Sequence, residues 1–380
     1  MIYLDSGATT LEKPPAVARA MAQAVGEMSS PGRGNYPASQ KAARTAYDCR
    51  EAAAELFHVP APEQVIFTCN ATHGLNIAIR TLVRPGCRVA VSGYEHNAVT
   101  RVLHSIPGVE IMVADAPLFR PEQTLEGFHT ALRRGVDAVI CNHVSNVFGC
   151  VQPVEELAGL CRRTHTPLIV DASQSAGILP VLLADWGAAF VAMPGHKGLY
   201  GPQGTGLLLC GAEASPLLYG GTGSASRRQT MPIDLPDRLE AGTHNMPGIA
   251  GLLEGLRFVS HAGVERIAQW ERRLTRRAEK GLARLPGVEV FADKTGQGQT
   301  GVLSFCVKGM DCEQVGEELA RRQIAVRAGL HCAPLAHRTA GTLESGTIRI
   351  SPSVFNTEGQ INFFLREMRE ILRENTKKSV

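Results

Sequence analysis

The chain reads as an α/β protein: a mostly parallel sheet covered by helices on both faces, followed by a second, smaller α+β unit. Three observations predict this. Between residues 64 and 210, short β-branched runs alternate with longer amphipathic stretches, as strands joined by crossover helices do. A long helical period then appears, and strand-like runs return after it in a different order. At 380 residues the chain exceeds one small core, so two or three packed units are expected.

The compact apolar runs are Val65 to Phe67, Arg88 to Val91, Val109 to Val113, Asp137 to Ile140, Leu168 to Val170 and Phe190 to Ala192. Helical patterns separate several of them, as at Leu75 to Leu82 and Val154 to Cys161. Ile267, Trp270, Leu274, Ala278 and Leu282 then recur three and four apart, one face of a long helix that Pro286-Gly287 stops. Val288 to Phe291, Gly301 to Val307 and Thr347 to Ser351 read as strands of the second unit. Thr357 and Gln360 form a capping box for a last helix with Ile361, Phe364, Leu365, Met368 and Leu372 on one face. The tail beyond Glu374 reads as frayed.

Composition narrows the function. The hydrophobic fraction of 44% and charged fraction of 20% are those of an ordinary soluble protein. A net charge of +3, spread along the chain, suggests neither a nucleic-acid nor a membrane surface. The basic stretch from Arg266 to Arg284 reads as a solvated helix face. No segment reaches the roughly 20 apolar residues of a membrane span. Met1 to Asp5 lacks the basic-then-apolar pattern of an export signal, so a cytoplasmic location is expected. The ten cysteines form no Cys-x-x-Cys pair, so no metal site is expected and the default is ten free thiols.

Ligands of open α/β sheets bind at the carboxyl ends of the strands. There the sequence places Asn70 to Gly74, Glu95-His96-Asn97, Asn142 to Asn146, Asp171 to Gln174 and Gly195-His196-Lys197-Gly198. The turn at Asn70 leads into a helix start, which offers N–H groups to a phosphate, although Asn70 also serves as an ordinary cap. Asp171 ends a buried strand, where a carboxylate needs a partner. A protonated pyridine nitrogen is one such partner, and capping the next helix is the alternative. A desolvated Lys197 would have a lowered pKa and form an imine, or it simply contacts a phosphate. At neighbouring strand ends the three reinforce one another and point to pyridoxal 5'-phosphate (PLP) held on Lys197.

Asp171-Ala172-Ser173-Gln174-Ser175 and Gly195-His196-Lys197-Gly198-Leu199-Tyr200-Gly201-Pro202 resemble the cofactor core of class V aminotransferase-fold PLP enzymes, most of all the cysteine desulfurase and selenocysteine lyase branch. The resemblance runs from Asp5-Ser6-Gly7-Ala8-Thr9-Thr10 to the last helix. It implies fold type I, with a mostly parallel seven-stranded sheet in a large PLP-binding domain (15–255), a small domain (256–380) and an N-terminal segment (1–14) joining them. It further implies that Lys197 holds the cofactor and moves the Cα proton, Asp171 pairs with the pyridinium nitrogen, Gln174 bonds the ring hydroxyl oxygen, and His96 stacks on the ring. Ala71, Thr72 and His196 would hold the phosphate, with Thr243 reaching it from the other subunit of a homodimer. Asn146 and Arg349 would bind the substrate carboxylate, Arg349 by a bidentate grip, and Arg327 would also contact the substrate.

Arg327-Ala328-Gly329-Leu330-His331-Cys332-Ala333-Pro334 resembles the family's catalytic loop, whose cysteine accepts sulfur. A neighbouring histidine and arginine would favour its thiolate. Departures are Pro194, where a phosphate-contacting serine is common, the extra Gly198 after the lysine, and Ala71 in place of a hydroxyl residue. The expected activity is conversion of L-cysteine to L-alanine with a persulfide on Cys332, passed to an acceptor protein or a thiol. L-selenocysteine is the alternative substrate. Rival readings are PLP-dependent elimination or transamination, and a scaffold that kept the fold and lost catalysis. A dehydrogenase is disfavoured, because Gly201 to Gly206 has its glycines in the wrong order for a dinucleotide loop and precedes a strand, not a helix.

Overall fold

The apolar runs fold as strands, and the order in which they pair places their polar ends side by side. A computed structural model describes residues 1–32, 34–296 and 298–378. A short first strand is β1 (Ile2–Tyr3). The large sheet contains β2 (Val65–Thr68), β3 (Arg88–Ser92), β4 (Glu110–Ala114), β5 (Ala138–Asn142), β6 (Leu168–Asp171), β7 (Phe190–Pro194) and β8 (Gly206–Cys210). Its order is β2-β8-β7-β6-β5-β3-β4. Strands β3 to β7 run parallel, while β8 is antiparallel to both neighbours. Register sets Asn142 beside Asp171 and Asp171 beside Ala192.

Strands β5 to β8 are buried along their whole length, because helices cover both faces and leave no solvated side to alternate with. One face packs Phe57, Phe128, Trp186 and Leu256; the other packs Leu75, Ile79, Val99 and Leu103. Each such side chain contributes about 1.5–3 kcal/mol on burial. The helix Met246–Ala262 escaped the sequence reading, since it buries residues on most sides and shows no clean apolar stripe.

The second sheet contains β9 (Val288–Phe291), β10 (Leu303–Val307), β12 (Arg327–Gly329) and β13 (Thr347–Ile350) in the order β12-β13-β10-β9, with β11 (Ile324–Ala325) outside it. All its pairs are antiparallel, and Arg327 lies opposite Arg349. Strand β1 pairs in parallel with β11, and Asp5 bridges to Ser351, so the N-terminus is stitched into this unit. The capping box forms: Thr357 N donates to Gln360 Oε1 at 3.1 Å and Gln360 N to Thr357 Oγ1 at 3.3 Å. The last helix continues past Glu374 to Lys378, four residues beyond the expected fraying point. The preceding long helix, Val264–Leu282, ends one turn before Pro286-Gly287. Among the described residues no helix is long and apolar enough to cross a membrane, and no group of three His, Cys, Asp or Glu is placed to hold a metal ion.

Candidate active site

The carboxyl ends of β2, β3, β5, β6 and β7 border one cleft, with about 530 Å³ of empty space. Lys197 enters it from the turn after β7. Gly195 N donates to Thr205 O at 2.9 Å and Gly201 N to Gly195 O at 2.8 Å, which folds the turn tightly. Gly198 is what allows this path, because a Cβ there would lie 2.3 Å from Ala176 O. Desolvation pushes the Lys197 ammonium down to about 8, against the pull of Asp171 and with help from Arg349 and Arg327.

Asp171 is buried at the end of β6, and one carboxylate oxygen accepts from Ser173 N at 2.9 Å. His96 caps the helix Asn97–His104, its Nδ1 accepting from Ala98 N at 3.0 Å. That bond assigns the proton to Nε2. Desolvation pushes His96 down to about 4, so its ring borders the cleft as a neutral imidazole. The helix Ala71–Leu82 begins at the cleft with Ala71 and Thr72, and Asn70 caps it by accepting from His73 N at 2.9 Å. His196 is also neutral, pushed to about 4 by desolvation, and its Nδ1 lies 3.0 Å from Thr9 Oγ1. Gln174 Nε2 donates to Gly7 O at 2.8 Å.

Among the described residues, Arg349 Nε and Asn146 Oδ1 are buried polar atoms left without partners beside the cleft. Arg349 is 1% exposed, and its Nη1 and Nη2 donate to Asn146 O and Asp5 Oδ1, both at 2.7 Å. Its Nε has no partner, nor does Asn146 Oδ1, although both are buried. Such orphans are costly unless something outside the chain satisfies them.

The loop after β12 carries Cys332, which is exposed. Two bonds tie the loop to cleft residues: Asn97 N donates to Cys332 O at 2.9 Å, and Asn146 Nδ2 to His331 O at 2.7 Å. Arg327 Nη2 lies 3.9 Å from Cys332 Sγ. His331 departs from expectation. Its ring turns inward, where desolvation pushes it down to about 2, so it brings no positive charge to the thiol. Arg327 alone of the two does so. His331 and Cys332 both have positive φ, 49° and 56°, a conformation that costs a side-chain-bearing residue about 1–2 kcal/mol.

Thr243 lies apart from this cluster within the chain, in a separate cleft with Phe67, His73 and Gly204. Beside it Glu240 accepts from Arg50 Nη1 and Nη2 at 2.8 and 2.6 Å and from Phe67 N at 2.6 Å. His244 Nε2 lies 2.6 Å from the same carboxylate. Burial pushes the Glu240 carboxyl up, but Arg50 and His244 outweigh it and hold it low.

Two buried acids were given no role by the sequence reading. Glu95 accepts from Ser92 Oγ at 2.5 Å and Asn142 N at 2.7 Å, and burial pushes it to about 8. Glu271, likewise pushed to about 8 by burial, accepts from Tyr200 Oη at 3.3 Å in a second cavity that also borders Lys197. Asp5, the partner of Arg349, was quoted only as part of a motif. The available signal for Glu271 was its place on the same helix face as Ile267, Leu274 and Ala278, at three- and four-residue spacing, where a charged residue is out of keeping with its neighbours.

The family model described as Aminotransferase class-V matches residues 2–364. A protein of Mycolicibacterium paratuberculosis named "Probable cysteine desulfurase" is 32% identical over 98% of this chain, which spans only 55% of that relative's length. A protein of the same name from Methanothermobacter thermautotrophicus is 32% identical, with 97% of this chain and 94% of the relative aligned. Among solved structures, the apo cysteine desulfurase of Thermococcus onnurineus superposes with a TM-score of 0.90 at 30% identity, covering 98% of this chain and 95% of its own. The S-sulfonic acid form of an Escherichia coli cysteine desulfurase gives 0.85 at 27% identity, covering 98% and 94%. The strand order, the lysine turn after β7 and these matches converge: the chain belongs to the class V aminotransferase family, with the fold of PLP-dependent cysteine desulfurases.

Proposed function

We propose that this chain is a PLP-dependent cysteine desulfurase that converts L-cysteine to L-alanine and takes the sulfur onto Cys332. The observation that carries the reading is the pair of bonds tying the Cys332 loop to Asn97 and Asn146 at the rim of the Lys197 cleft. A sulfur acceptor needs that placement, and an incidental surface thiol has no use for it.

The residues present fit the cofactor. The cleft offers a lysine held near pKa 8, a buried carboxylate for a pyridinium, neutral His96 for the ring face, and a helix start with His196 for the phosphate. The bound cofactor supplies an electron sink that makes the substrate Cα–H acidic. Lys197 Nζ carries that proton, which an amine with pKa near 8 can both take and return close to neutrality. Arg349 and Asn146 orient the substrate carboxylate and amine, and the unpartnered Arg349 Nε and Asn146 Oδ1 gain partners in doing so. Arg327 sets its guanidinium 3.9 Å from Cys332 Sγ, beside the attacking sulfur. Cys332 Sγ bonds to the substrate sulfur as the substrate carbon–sulfur bond breaks; a persulfide stays on Cys332 and alanine leaves. An acceptor protein or thiol then discharges the persulfide. Thr243, remote from its own chain's cleft, serves the phosphate of a second copy in a homodimer.

Purified protein incubated with L-cysteine, PLP and a reducing thiol should release alanine and sulfide in equal amounts. Cys332→Ser should abolish alanine formation. Alanine production retained in that variant, or pyruvate in place of alanine, overturns the reading.

A further inference from the structure

His331 and Cys332 are the central residues of a four-residue turn, closed by Ala333 N donating to Leu330 O at 2.9 Å. Both central residues have positive φ, the signature of a type I′ turn. Such turns are built from Asn and Gly, which reach that region at little steric cost. Here two ordinary side chains occupy both positions. A backbone held away from its preferred region persists only where its surroundings over-determine it, and such places cluster at functional sites.

The surroundings are specific. The His331 ring is buried, and its Nε2 lies 3.1 Å from Thr347 Oγ1. Thr347 Oγ1 donates to Ser304 Oγ at 3.3 Å, and Ser304 Oγ donates to Val147 O at 2.6 Å. The chain of bonds therefore runs from the turn through β13 and β10 to the loop carrying Asn146. Asn146 closes the circle from its side chain onto His331 O at 2.7 Å. On the ring's other side lies His337, 5.7 Å between centroids, itself held by Thr342 Oγ1 at 2.8 Å. The Cys332 side chain is exposed and, among the described residues, has only the long contact from Arg327 Nη2 at 3.9 Å.

We propose that His331 is a positioning residue: its buried ring, bonded through Thr347 and Ser304, clamps the strained turn that presents Cys332 to the substrate sulfur. This rests on Cys332 being the sulfur acceptor. Without the clamp the turn relaxes to negative φ, and Cys332 loses both its direction and its backbone bond from Asn97.

The test uses the PLP-loaded full chain with His331→Leu, which keeps bulk and removes the ring nitrogens, and His331→Gln, whose amide can replace Nε2. Thr347→Val cuts the same bond from the other end. Alanine formation from L-cysteine is measured alongside amide hydrogen exchange. The expected result is a loss in kcat of about tenfold or more in His331→Leu and Thr347→Val, with His331→Gln retaining most of it. Exchange should accelerate at least about tenfold in residues 330–333 and at Asn97, and stay at the wild-type rate in β10. Wild-type kcat in His331→Leu overturns the proposal, and so does a kcat loss accompanied by faster exchange throughout β10 and β13. If His331→Leu fails to fold, Thr347→Val decides on the same criteria. Failure of the underlying reading is separately visible, because Cys332→Ser would then still make alanine.

Discussion

Lys197 gives the cofactor-free protein a pH dependence of stability that can be worked through in advance. Desolvation holds its amine at about 8 in the folded chain, against an ordinary 10.5 when unfolded. That displacement is worth about 3 kcal/mol. Its sign follows from proton counting. Between the two values the unfolded chain binds the extra proton, so stability rises with pH across that window. Below about pH 8 both states are protonated and the penalty is complete; above about pH 10.5 it is gone. Lys197→Met removes the group, so the stability of wild type relative to the variant should climb by about 2.5 kcal/mol from pH 7 to pH 10. Urea unfolding of both proteins without cofactor, at several pH values, reads that change directly. The change matters more than the gap at any single pH, which also contains the exposure of Asp171 to an uncharged neighbour. A relative stability flat to within about 0.5 kcal/mol over the window would show that Lys197 titrates normally. An amine poised near neutrality would then be refuted.

Glu240→Ala leaves the Arg50 guanidinium buried without its counter-charge and should cost about 3–5 kcal/mol in chemical unfolding; a loss under about 1 kcal/mol would mean water reaches the pair. Gly198→Ala forces a Cβ to within 2.3 Å of Ala176 O, so the lysine turn must move. PLP affinity, followed by the absorbance of the bound cofactor, should fall at least about tenfold while the unfolding free energy drops by only about 1–3 kcal/mol; unchanged affinity would show that the turn tolerates the shift.

The sequence disclosed the site's parts far better than its bracing. Lys197, Asp171 and His96 were legible because each follows an apolar run, and one geometric rule places strand ends together. Cys332 was legible through its loop motif. His331 was misjudged for a physical reason: adjacency in sequence says nothing about side-chain direction in a turn with positive φ, and here the ring points inward. Asp5, Thr347 and Ser304 were invisible as partners, since each acts across hundreds of residues or between strands whose register no local pattern encodes. The helix Met246–Ala262 was missed because burial on most sides erased the period that announces a helix. Gly198 is an extra residue in the sequence, and its reason lies in Ala176 O, which leaves no room for a Cβ there.

The stitching of β1 to β11 bears on how the molecule comes into being. Ile2 pairs with Ile324, and Asp5 with Arg349, 344 positions apart. On a ribosome the large sheet has all seven strands once residue 210 has emerged. The first strand has no mate until more than a hundred further residues have been made. Until residue 349 is made Asp5 has no guanidinium to neutralise, and Arg349 cannot be buried without it. Completion of the buried Asp5–Arg349 pair is thereby deferred to one of the last long-range closures of the chain, the kind whose entropy cost slows folding most. A nascent chain would carry its lysine turn long before Arg349 could take its buried place beside Asp5.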